Sequence, residues 1–210
     1  MAKLWAFGDS FTEGFNYNQH WCREYLDWKG YIPKSYTEIL SETLQLELMN
    51  FGKCAWDNYS IFESFCRVVK DIEKEDLVIF GWTNPIRFRL TDSNGDWHYF
   101  VPSVIPDTIH AEYMNKDSIQ RIISNRYNSK YSEEVNLWIN LIEHTLKDNI
   151  VIHWTPFDSN INAIVLNGFE TIRNETNAVL KDVHYSERGQ LQLSNTLLTL
   201  YNRIKKKDII

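Results

Sequence analysis

The stretch Leu4-Trp5-Ala6-Phe7-Gly8-Asp9-Ser10-Phe11-Thr12-Glu13-Gly14 decides the fold. Four apolar residues run into Gly-Asp-Ser, and a second glycine follows four residues after the serine. The pattern predicts a buried strand that ends in a glycine-hinged turn, with Ser10 at its carboxyl end. A sharp strand-to-helix turn at the top of a sheet is how a serine hydroxyl is held out as a nucleophile. The plainer reading is a strand and turn in which Ser10 caps the next helix.

Outward from this block the pattern alternates. Residues 4–8 read as a strand, 36–46 as a helix capped by Ser35, and 47–51 as a short strand. Residues 59–72 carry Ile61, Phe62, Phe65, Val68, Val69 and Ile72 on one helical side. Residues 77–81 form a continuous apolar run, as in a strand buried on both faces. Residues 133–146 read as a helix, 149–154 as a strand and 187–205 as a last helix. Such alternation predicts a parallel sheet covered by helices on both faces. Its site belongs at the carboxyl ends of the strands, where Ser10, Ala55, Thr83 and the loop after Trp154 fall. Between residues 85 and 130 the alternation fails. This stretch reads as an insertion, with a hairpin around Asn94-Gly95 and a helix near 118–125.

At 210 residues the chain is expected to form a single domain, and 43% hydrophobic content suits a packed core. No apolar run reaches the roughly 18 residues of a membrane span. No signal peptide is legible, so a cytoplasmic protein is expected. Three cysteines, Cys22, Cys54 and Cys66, lack metal-ligand spacing and read as free thiols. A net charge of -6 argues against nucleic acid as a partner. No membrane partner, metal or cofactor is expected, and oligomeric state is not legible.

A serine nucleophile needs a base, a group to orient the base and donors for the oxyanion. Of six histidines, His184 alone has an aspartate close before it and a helix start close after it. In Lys181-Asp182-Val183-His184-Tyr185-Ser186-Glu187-Arg188-Gly189, Asp182 is the orienting carboxylate. Asp158 is the alternative, and a backbone or water partner a third. His20, His98, His110, His144 and His153 lack this context.

Gly-Asp-Ser-x-Thr-x-Gly after an N-terminal strand, with Asp-x-His before the last helix, resembles the SGNH (GDSL-type) hydrolases. That family holds esterases, lipases, thioesterases and carbohydrate O-acetylesterases. The resemblance implies a three-layer α/β/α, flavodoxin-like doubly wound parallel sheet of about five strands. Gly189 matches the family's glycine five residues after the histidine. The family's acid stands three residues before the histidine, whereas Asp182 stands two before.

The second block, Asn50-Phe51-Gly52-Lys53-Cys54-Ala55-Trp56-Asp57-Asn58, resembles the family's second block and puts Ala55 at its oxyanion glycine. Alanine also offers a backbone N–H there. It is harmless at negative φ and costs about 1 kcal/mol or more at positive φ. Asn50 and Asn58 are expected to brace loops, with Asp57-Asn58 also reading as a helix N-cap. In the third block, Gly81-Trp82-Thr83-Asn84, the family's oxyanion asparagine is replaced by Thr83, with Asn84 one residue late. Either side chain is open as the third donor beside the N–H groups of Ser10 and Ala55. Variant third blocks of this kind are similar to those of virus-encoded members.

The expected activity is a Ser10-His184-Asp182 esterase acting on a small-molecule or glycan ester, by preference removing acetyl groups from a carbohydrate. A lipase or acyl-thioesterase, and a non-catalytic glycan-binding or structural protein on the same scaffold, are the alternatives. Trp82, Arg87 and Trp97 are candidate substrate contacts. The plain reading of the insertion is a hairpin packed on the domain.

Overall fold

β1 (Lys3–Gly8) is the apolar run that the N-terminal block requires, and its last four side chains before Gly8 are buried. The computed structural model describes residues 2–91, 97–100, 121, 125 and 131–207. Within them the order continues with α1 (Ser10–Glu13), α2 (His20–Lys29), α3 (Tyr36–Leu44), β2 (Glu47–Gly52) and α4 (Asn58–Val68). Then come β3 (Leu77–Gly81), a hairpin of β4 (Phe88–Thr91) and β5 (Trp97–Phe100), α5 (Tyr131–Thr145) and β6 (Ile150–Thr155). β7 (Ile164–Val165), α6 (Ile172–Glu175) and α7 (Glu187–Lys207) complete it.

The main sheet is parallel, in the order β2-β1-β3-β6-β7. The chain steps from β1 out to β2, then back across β1 to β3. The reversal leaves a crevice at the carboxyl ends of β1 and β3, the usual site position in such sheets.

Side chains alternate between two cores, as a strand's period of two demands. Leu4, Leu77, Ile79, Ile152 and Trp154 pack under α3 and α7, against Tyr36, Leu40, Leu193 and Leu197. Trp5, Phe7, Val78 and Phe80 pack on the other face, against Ile61 and Phe65 of α4 and Val135, Ile139 and Ile142 of α5. These two helical layers make the three-layer α/β/α arrangement.

Gly8, Gly52 and Gly81 stand in one register row across β2, β1 and β3. α1 lies directly on that row. A Cβ at Gly52 would fall 2.6 Å from Glu13 N, and one at Gly8 would fall 2.1 Å from Thr12 Oγ1. Only glycine lets the turn sit this low on the strand tips.

The elements read from sequence recur within a few residues. Ser35 forms a full capping box with Glu38 at the start of α3. The expected hairpin is present as β4 and β5 in antiparallel register, Thr91 facing Trp97, while its turn lies outside the described residues. So does the expected helix near 118–125, except for Arg121 and Asn125, both helical. α2, β7 and α6 have no counterpart in the sequence reading. No helix among the described residues is long and apolar enough to cross a membrane.

Candidate active site

Asp9 builds the turn that carries Ser10. Its carboxylate accepts the N–H of Phe11 at 3.0 Å, capping α1, and its carbonyl accepts the N–H groups of Thr12 and Glu13, each at 3.0 Å. The strand and turn of the first block are present, and Asp9, not Ser10, is the cap. Ser10 is the first residue of α1.

Ser10 Oγ lies 2.7 Å from His184 Nε2. On the far side of the ring, His184 Nδ1 lies 2.7 Å from Asp182 Oδ1. A carboxylate only accepts, so Nδ1 carries the proton and donates to Asp182. Nε2 is then the acceptor for the Ser10 hydroxyl. Asp158, the alternative acid, is exposed and makes no such contact among the described residues.

The short Asp-x-His spacing works because one oxygen does two jobs. Asp182 Oδ1 also accepts the backbone N–H of His184 at 2.7 Å. This Asx turn brings carboxylate and imidazole together with a single residue, exposed Val183, between them. The loop is held from behind by α6. Ile172 N donates to His184 O at 2.9 Å, and Arg173 N donates to Asp182 O at 2.8 Å. These are first-turn N–H groups that a helix leaves unpaired. Gly189 permits the close packing behind, since a Cβ there would lie 2.0 Å from Glu170 O.

The second block forms a turn in which Trp56 N donates to Lys53 O at 3.3 Å. Ala55, its third residue, has φ 66°. A turn of this kind asks for positive φ there, the reason a glycine suits it. Ala55 therefore falls in the costly case. Glu13 pins the turn to α1 by accepting Cys54 N at 2.6 Å and Gln19 Nε2 at 2.5 Å. Burial raises the Glu13 carboxyl above its ordinary range, against the lowering effect of the Cys54 N–H. Burial also pushes the Cys54 thiol up to about 11, which keeps it a poor nucleophile.

Asn50 and Asn58 brace loops as expected. Asn50 Nδ2 donates to Thr12 O at 2.8 Å. Asn58 clamps Thr83 from both sides, donating to its carbonyl at 3.0 Å and accepting its N–H at 2.8 Å. Thr83 is fully buried, and its hydroxyl has no hydrogen-bond partner among the described residues. Asn84 has its amide oxygen taken by Ile86 N at 3.1 Å.

Of the three candidate substrate contacts, Trp82 lies elsewhere than expected. Trp82 is fully buried, stacked on Phe80, and donates its N–H to His153 Nδ1 at 3.1 Å. An apolar ring at the tip of a central strand has no exposed face to offer a ligand. Arg87 turns inward, with Nη1 2.9 Å from Asp9 Oδ2. Trp97 sits on β5, and its side chain lies outside the described residues.

A neighbour of the site was missed altogether. Trp21, on α2, lies flat on the His184 imidazole, with centroids 4.0 Å apart and planes 24° apart. The spacing of Cys22, Tyr25 and Leu26 was the available signal for α2, since all three are buried on one helical face.

With Ser10 at the end of β1, His184 ahead of the last helix and the sheet in the order β2-β1-β3-β6-β7, the arrangement is decided. It is the doubly wound α/β/α arrangement that the resemblance to the SGNH (GDSL-type) hydrolases implies. Two solved structures are similar to this chain. One, from Desulfitobacterium hafniense DCB-2 and named for the lipolytic G-D-S-L family, shares 16% identity over 93% of this chain and 97% of its own, with a TM-score of 0.37. The other, a member of the lipolytic G-D-S-L family from Veillonella parvula DSM 2008, shares 11% identity over 97% of this chain and 100% of its own, with a TM-score of 0.39. No family model matches the chain, and no curated protein matches it.

Proposed function

We propose that this protein is a serine esterase that works through an acyl-enzyme on Ser10. The observation that carries the reading is the unbroken line from Ser10 Oγ through His184 to Asp182, both links 2.7 Å long. A serine that only caps a helix has no need of a histidine whose far nitrogen is held by a carboxylate.

In the first step Ser10 Oγ bonds to the ester carbonyl carbon as its proton passes to His184 Nε2. The carbonyl oxygen becomes an oxyanion, for which the N–H groups of Ser10 and Ala55 and the Thr83 hydroxyl are the proposed donors. The tetrahedral intermediate collapses, the ester C–O bond breaks, and His184 gives its proton to the leaving alcohol. Water then gives a proton to His184 and attacks the acyl carbon, and Ser10 leaves with that proton. Asp182 holds the imidazole tautomer and stabilises the imidazolium.

A short acyl group suits the enclosure of the nucleophile, which is only 3% exposed and has Phe11 beside it in α1. For the alcohol side, a recess of about 240 Å³ lined by Asn58, Tyr59, Arg87, Arg89 and Trp138 shares Asn58 and Arg87 with the site's loops. Aromatic rings beside charged groups suit the ring of an acetylated sugar. The test is hydrolysis of p-nitrophenyl acetate by wild type, Ser10→Ala and His184→Ala, with a serine-directed phosphonate as a label. Activity lost in both variants and labelling at Ser10 support the esterase. Neither activity nor labelling in the wild type leaves a binding protein on a hydrolase scaffold. A preference for long-chain nitrophenyl esters would favour a lipase.

A further inference from the structure

We propose that Trp21 is a positioning residue for His184, and that α2 exists to hold its indole against the imidazole; the proposal rests on the esterase reading above. The stack is close, 4.0 Å between centroids and 24° between planes. Phe11 also touches the imidazole, at 4.9 Å. The imidazole is thus fixed by Asp182 and Ser10 in its own plane and by an indole across its face. A tilt that would carry Nε2 away from Ser10 Oγ meets the indole.

α2 is anchored where it must be to set Trp21. One turn on, Tyr25 Oη donates to Glu175 and accepts Glu187 N at 2.9 Å. Lys29 Nζ reaches Glu175 at 2.7 Å and Glu187 at 2.8 Å, with its side chain 13% exposed. Glu175 ends α6, whose first turn holds the His184 loop, and Glu187 lies three residues beyond His184. The helix that carries Trp21 is therefore bolted to both flanks of the segment that carries the base. Cys22, Tyr25 and Leu26 bury α2 against Phe15 and Ile172, and Trp21 packs on the edge of the same cluster.

The indole Nε1 is buried and has no hydrogen-bond partner among the described residues. Leaving a buried donor unpaired costs on the order of 1–3 kcal/mol. A ring kept at that cost where a phenylalanine would bury as well points to a use for the indole itself. Tryptophan has the strongest aromatic face for a cation. His184 is neutral when it waits for the Ser10 proton and cationic once it holds it. An indole across its face favours the second state over the first, the kind of interaction that speeds a chemical step.

The experiment combines kinetics with a spectroscopic titration of the full chain. Trp21→Leu is expected to lower kcat by about tenfold with KM shifted less than about threefold, while Trp21→Phe, which keeps an aromatic face, loses less. A protonated imidazole in contact with an indole quenches its fluorescence. Wild-type emission is therefore expected to show a pH-dependent component that is absent from both His184→Gln and Trp21→Phe. The ionisable groups around the stack are Asp182 on the His184 loop, Glu13 on α1 and Cys22 on α2, whose thiol burial keeps high. His153 against Trp82 is a second histidine–indole pair, and its component should survive in both variants.

A folded Trp21→Leu enzyme with wild-type kcat overturns the proposal, as does a His184 component that persists in Trp21→Phe. If Trp21→Leu does not fold, the Trp21→Phe titration and kcat decide in its place. Absence of hydrolysis and of Ser10 labelling in the wild type overturns the esterase reading, and the catalytic use of Trp21 with it. An active wild type with a fully active Trp21→Leu overturns the Trp21 proposal alone.

Discussion

Arg87 reaches from the loop after β3 to Asp9, its Nη1 2.9 Å from Oδ2, with side chains 10% and 2% exposed. Asp9 caps the turn that carries Ser10 through its other oxygen. The pair thus ties the segment after the third block to the first. Removing one partner of a buried pair leaves the other charge without compensation, at about 3–5 kcal/mol. Arg87→Ala should lose stability of that order in urea unfolding, and Arg87→Lys should recover only part of it because a point charge replaces a fork.

Asp182→Asn should separate orientation from folding. The asparagine oxygen can still accept the His184 backbone N–H, so the loop is retained. It can no longer stabilise an imidazolium as a charge. In the triad template this change costs about 10⁴ in turnover. A loss of at least about a thousandfold in kcat, with an unchanged melting temperature, is expected on p-nitrophenyl acetate.

Thr83→Val tests the third oxyanion donor. The Thr83 hydroxyl is buried without a partner among the described residues, so its removal should leave stability unchanged or raise it. If it donates to the oxyanion, kcat should fall by about 10²–10³. Stability kept and activity lost is the expected combination. Full activity in Thr83→Val with a large loss in Asn84→Ala would move the role to Asn84.

Ala55→Gly should stabilise the chain. Releasing a non-glycine residue from the left-handed region recovers about 1–2 kcal/mol, and the greater freedom of glycine in the unfolded chain takes back about 0.4–1 kcal/mol. A rise of about 2 °C in melting temperature is expected for a chain of this size. Activity should be unchanged, because the N–H that serves the oxyanion is the backbone's.

His153 sets a pH limit on stability. Burial pushes its imidazole from the ordinary 6.5 down to about 4. Between those values the unfolded chain binds a proton that the folded chain refuses, so stability falls as pH drops through that window and is fully present above it. The loss amounts to roughly 3 kcal/mol by pH 4. Urea unfolding at pH 7 and pH 4.5 should show a smaller difference in His153→Gln than in the wild type.

The strands and core helices were legible because their signals are local. Leu77–Gly81 is apolar throughout since β3 is buried on both faces, and Ser35 announces α3 by its capping box. Ser10, His184 and Asp182 were legible as candidates because their spacing to strand and helix ends is itself the motif. What stayed hidden depends on where distant residues meet. The sign of φ at Ala55 is set by a turn, and sequence left both cases open. Arg87 reads as a cleft residue until Asp9, 78 positions away, is seen to take it. Trp82 reads the same way until the third strand is seen to end inside a core. Trp21 gave no sign of its task, because a stack on an imidazole 163 positions onward has no local spacing to betray it.

The glycine row beneath α1 has a consequence for how this scaffold can change. The height of Ser10 above the sheet is gauged at Gly52 by the main chain of Thr12 and Glu13, and at Gly8 and Gly81 by the Thr12 side chain. Repacking either core, lengthening the β4–β5 hairpin or replacing α2 would leave that gauge untouched. A single methyl group at Gly52 would not, because the turn would have to rise and carry the hydroxyl off its 2.7 Å line to His184. The seat of Ser10 is thus intolerant to within one carbon atom, whatever is changed elsewhere in the fold.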